Sequence, residues 1–121
     1  MNRDEALRAA SNHDWSVRAS AVQTLVDELD EAESSALATL LCDENLAVIQ
    51  AAAQALLGRG DSPALTLFTD AYNSAVPQSG DVLNDVLRSA QHEHPEAIDG
   101  LEEVAASGDD GARAALAWLR E

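Results

Sequence analysis

The sequence predicts an all-α fold: an α-solenoid of about four stacked helical hairpins, forming one domain over residues 1–121. Three observations lead there. The stretch Val17–Leu25 returns as Val48–Leu56, and Asn12-His13-Asp14 returns as Asp43-Glu44-Asn45, both at an offset of 31 residues. A fixed period of that size marks stacked supersecondary units rather than one irregular globule. Apolar residues recur at helical spacing in eight segments, with no strand-like alternation. The chain is 46% apolar but only 3% aromatic, so Ala, Leu and Val must build the core, and Ala and Leu are strong helix formers.

The elements follow in order. Arg3 to Ala10 is a short first helix, and Trp15 to about Leu29 a second, capped by Asp14, with Val17, Ala21, Val22, Leu25 and Leu29 on one stripe. About Glu31 to Leu41 makes a third. About Leu46 to Leu57 makes a fourth, capped by Asn45 and stopped by Gly58-Arg59-Gly60. Asp61-Ser62-Pro63 opens a fifth helix that runs through Tyr72, and Pro77-Gln78-Ser79-Gly80 reads as the break that ends it. A sixth then carries Val82, Leu83, Val86, Leu87 and Ala90. His94-Pro95 starts a seventh, which stops at Ser107-Gly108. Asp109-Asp110 caps an eighth bearing Ala112, Leu116 and Leu119.

The segments around Asp14-Trp15-Ser16-Val17-Arg18, Ala21 and Leu25, and around Asp43-Glu44-Asn45, Val48, Ala52 and Leu56, resemble HEAT repeats, in particular the short bacterial HEAT-like repeats of the phycobilin-lyase type. The second copy has Ile49 where the pattern has Arg. The last pair echoes it as Asp109-Asp110-Gly111-Ala112-Arg113 and Leu116, and the third keeps only Val82 and Val86. The resemblance implies the solenoid and says little about activity. It also implies that Arg18 bridges acidic side chains of adjacent repeats, with Asp14 or Asp43 as its partner.

Charge narrows the function classes. There are 22 Asp and Glu against 7 Arg and no Lys, a formal net charge of −15. Phosphate backbones and anionic membrane surfaces are repelled, so neither nucleic acid nor membrane is an expected partner. A basic protein surface is attracted. The start of the chain lacks the apolar stretch of a signal peptide, no run is long enough to span a bilayer, and a cytoplasmic location is the expectation. Cys42, beside Leu40 and Leu41, reads as a small buried hydrophobe.

Candidate chemistry is sparse. His92-Glu93-His94 with Glu96 is the nearest approach to a metal cluster, but one such pair at a helix junction reads as solvated turn residues. No nucleophile elbow or phosphate-cradling glycine loop occurs. No catalytic residue, cofactor or metal is expected. What remains is surface. Gln23, Gln54, Arg88 and Trp118, with Asp85, Ala51 and Ala115 nearby, are expected on one face of the second helices. Asp27, Glu28, Asp30, Glu31 and Glu33, followed by Asp43-Glu44, are expected as an acidic ridge along the turns. The leading expectation is a non-enzymatic protein-binding module, in its most concrete form an acidic immunity or antitoxin-type inhibitor of a basic toxin or effector. The alternatives are a general adaptor scaffold and a chromophore- or ligand-handling protein, lyase- or chaperone-like, using Tyr72, Arg88 and Trp118.

Overall fold

A computed structural model describes residues 1–121. It contains eight α-helices: α1 (Arg3–Ala9), α2 (Trp15–Glu28), α3 (Glu31–Leu40), α4 (Leu46–Arg59), α5 (Ser62–Ser74), α6 (Pro77–Glu93), α7 (Pro95–Ala106) and α8 (Asp110–Leu119). Short polar side chains start most of them. Asn2, Asp14, Asn45, Asp61 and Asp109 each accept a backbone N–H from the first turn of the helix that follows. Each thereby satisfies one of the donors a helix leaves unpaired at its start. The repeated turn is reproduced atom for atom. The Asp14 N–H donates to Asn12 Oδ1 at 2.8 Å, and 31 residues on the Asn45 N–H donates to Asp43 Oδ1 at 2.9 Å.

Contacts run mostly between neighbouring helices. α2 packs on α1, α3 and α4; α4 packs on α2 and α6; α7 packs on α8. α2, α4 and α6 run in the same direction. At their N-terminal ends, Arg18 of α2 meets Asp43 just before α4. At the other end Arg59 of α4 reaches the Val26 carbonyl of α2, and Gly58 lies against the His94 ring that follows α6. One continuous apolar core draws on every helix, with Phe68 its largest fully buried side chain and Leu25, Leu56, Leu65, Leu87 and Leu101 around it.

The third pair departs from the expected hairpin. α5 packs on α8, α4 and α7 rather than chiefly on α6. The approach of α8 depends on Gly111, where an added Cβ would lie 2.1 Å from the Thr69 carbonyl oxygen. Pro77-Gln78-Ser79-Gly80 is also not the break it reads as: these residues form the first turn of α6. Proline lacks an N–H that the first helical position does not use, so it starts this helix, while forcing Val76 before it into extended backbone. The Gly80 N–H closes the turn on the Val76 carbonyl at 2.8 Å. The fourth helix likewise runs two residues past Leu57 and ends at Gly60, whose φ of 73° supplies the left-handed cap.

Cys42 is exposed, contrary to expectation, because α3 ends at Leu40 and the turn carries the thiol out of the apolar row. Glu33 differs in the opposite sense. It is fully buried at the first turn of α3, where Oε2 accepts from Arg3 Nε at 2.7 Å, so it is no part of a solvated ridge. No helix is long and apolar enough to cross a membrane.

Candidate functional site

The largest recess is a groove of about 640 Å³ between α2 and α4. Its floor is apolar and small: Ala19, Val22, Val26, Ala51 and Ala55. These positions face it because α2 and α4 lie side by side in the same direction, with residues 31 apart as neighbours. Gln23, Asp27 and Gln54 stand on its rim, and all three are exposed. Gln23 Nε2 donates to Asp27 Oδ1 at 2.9 Å, one helical turn along. A smaller recess of about 160 Å³ continues the groove between α4 and α6, with Gln54, Ser89, Glu93 and His94 among its lining.

Of the expected face residues, Gln23, Ala51 and Gln54 are thus brought together, with Asp27 of the expected ridge beside them. Asp85, Arg88, Ala115 and Trp118 do not join them. Ser89 and Glu93, rather than Asp85 and Arg88, flank Gln54, because the neighbour of Gln54 on α6 lies one residue further along than Arg88, a turn of about 100° round the helix. Asp85 is exposed on α6, while Arg88 turns away to cover Trp118, its guanidinium carbon 4.7 Å from the indole centroid. Ala115 is fully buried and belongs to the core rather than the open face. Tyr72 stacks on Phe68 and donates to Asn84 Oδ1 at 2.6 Å, joining α5 to α6; burial pushes its phenol above the ordinary range. Tyr72, Arg88 and Trp118 therefore line neither recess.

Arg59 and His94 sit at the mouth of the groove, and the rim pattern did not include either. Arg59 Nη1 donates to the Val26 carbonyl and, at 3.3 Å, to that of Asp27; its Nε donates to Asp61 Oδ2 at 2.9 Å. Gly58 and Arg59 form the end of α4, which Gly60 caps, and the arginine also secures the end of the neighbouring helix. The repeat offset held the signal, since it sets Gly58 opposite Asp27. His94 Nδ1 lies 3.7 Å from Glu96. His92 and Glu93 are exposed, and no three His, Cys, Asp or Glu side chains are disposed to hold a metal ion.

The acidic ridge is narrower than its sequence. Asp27, Glu28, Asp30 and Glu31 are exposed, with Arg3 3.7 Å from Asp30. Asp43 is engaged elsewhere, accepting from Arg18 Nε at 2.8 Å and Nη2 at 2.9 Å, while Arg18 Nη1 donates to the Asn12 carbonyl. Desolvation pushes the Asp43 carboxyl up, but the Arg18 bonds, the Asn45 N–H and the Arg18 charge outweigh it and hold the carboxyl below its ordinary range.

Comparison with protein-family models, with curated proteins and with solved structures yielded no match.

Proposed function

We propose that the chain is a HEAT-like α-solenoid that binds another protein through the α2–α4 groove and the neighbouring acidic turn, without catalysing a reaction. The observation that carries this reading is the convergence of Gln23, Asp27 and Gln54 on one groove whose floor is apolar. An apolar floor with a polar rim is the anatomy of a protein contact. The net charge of −15 selects a basic partner and favours its long-range capture. An immunity or antitoxin-type inhibitor of a basic toxin or effector is the most concrete form; a general adaptor shares the same surface. Chromophore handling draws less support, since Arg88 and Trp118 are occupied with each other and Tyr72 with Asn84.

The test is to recover the partner by co-purification from the native host and measure its association with the purified chain. A basic partner is expected. Charge reversal at Asp27, Glu28, Asp30 and Glu31 together is expected to slow association and flatten its salt dependence. An acidic partner, or kinetics indifferent to those four reversals, overturns the reading.

A further inference from the structure

The mouth of the α2–α4 groove already holds one guanidinium. Arg59 gives Nη1 to the last carbonyls of α2, those of Val26 and Asp27, while Asp61 holds its Nε. Helix C-termini leave carbonyls without intrahelical partners and carry a partial negative charge. Because α2, α4 and α6 are parallel, three such ends, at Glu28, Arg59 and Glu93, gather along one edge. The carboxylates lining the two recesses are Asp27 and Glu93, and the cationic or titratable groups there are Arg59, held by Asp61, and His94, 3.7 Å from Glu96. Asp27 engages Oδ1 with Gln23, leaving Oδ2 for an outside donor. Behind this edge lies the apolar floor of Val22, Val26, Ala51 and Ala55.

We propose that this mouth is an arginine-reading site, into which a partner protein inserts an exposed arginine side chain. The proposal rests on the protein-docking reading above and names the partner group that reading requires. The methylene stem lies on the floor, as long cationic side chains do on apolar surface. The guanidinium takes the α2 carbonyls from Arg59 and adds Asp27 Oδ2, while Arg59 stays held by Asp61. Arginine suits this better than lysine, because its planar fork of donors serves two carbonyls and a carboxylate at once. Arg59 is then an internal occupant that an incoming arginine displaces.

The experiment measures binding of a labelled tetra-arginine peptide, and of its lysine and citrulline counterparts, to the full chain by fluorescence anisotropy. Arginine is expected to bind tightest and the neutral citrulline weakest. The double variant Asp27→Asn, Glu93→Gln is expected to weaken arginine binding by about tenfold or more. The control Asp4→Asn, Glu103→Gln removes the same charge from α1 and α7 and is expected to leave binding nearly unchanged. Arg59→Ala, checked for folding by thermal melt, is expected to tighten binding. Equal weakening by the two double variants overturns the proposal, since it reports general charge attraction. So does weaker binding to a folded Arg59→Ala chain. A peptide that fails to bind, while a basic protein partner still docks in a salt-sensitive way, overturns the arginine site and leaves the docking reading standing.

Discussion

Arg18 and Ile49 occupy the same place in two successive copies of one turn-and-helix unit, and the residue each copy needs depends on what lies beside it. Arg18 faces Asp43 in the next turn and forms a two-pronged ion pair with it, largely shielded from water. Ile49 shares a recess with Ser74, Ala75 and Val76, the positions at which the following unit has no acidic residue to match Asp43, and is fully buried. Asp43→Ala should therefore strand the Arg18 charge and cost about 3–5 kcal/mol, read from chemical denaturation. Arg113, the exposed counterpart in α8, should tolerate alanine within about 0.5 kcal/mol. Ile49→Ala should cost about 2–5 kcal/mol through lost burial and a cavity. The Asp43 pair also sets a pH response. Its carboxyl titrates below the ordinary 3.8, as does that of Asp14, which accepts from the Ser16 hydroxyl and N–H. A depressed carboxyl contributes stability above its unfolded value, and that contribution disappears as pH falls through the folded one. Thermal midpoints should accordingly fall in strong acid, and Asp43→Asn should flatten that slope.

At the scale of elements, one glycine sets how closely two helices approach and another does not. Gly111 of α8 sits against the Thr69 carbonyl of α5, where rigid backbone leaves no space for a methyl group. Gly111→Ala should cost about 1–3 kcal/mol by pushing α8 off α5. Gly58, near the end of α4, is exposed, and an added Cβ would meet only the His94 ring at 3.6 Å, an ordinary contact. Gly58→Ala should thus stabilise the chain by up to about 1 kcal/mol, because helical glycine gives up more backbone freedom on folding. Paired denaturation curves of the two variants check both signs. Helix starts were readable residue by residue, since a capping Asp or Asn acts on its own first turn. The α5–α6 boundary was not, because Pro77 and Gly80 satisfy both a break and a helix start, and only the extended Val76 decides between them.

Across the whole molecule, the excess of carboxylates acts against compactness, and added salt should relieve it. The thermal midpoint should rise with ionic strength despite weaker ion pairs; a falling midpoint would mean that pairs such as Arg18–Asp43 outweigh the general repulsion. The candidate site is partly legible at this scale. Gln23, Asp27 and Gln54 follow from helical projection and a 31-residue step, and they do share a groove. Arg88 and Trp118 do not join them, because Ser89 takes the place beside Gln54 and the Arg88 and Trp118 side chains satisfy each other.

The amino-acid order alone determined the helical class, the number of helices, most of their caps and the repeated turn, because each depends on contacts within a few residues or on a fixed period. The tertiary structure decided which charges are spent and which are open. Glu33 and Asp43 are acidic residues of the turns like their neighbours, yet Arg3 and Arg18 draw them inward. Cys42 stands in an apolar run, yet the end of α3 turns it outward. Burial and pairing belong to helices that meet across 25 or 30 residues of chain, and their distances and angles are set by the packing of the whole.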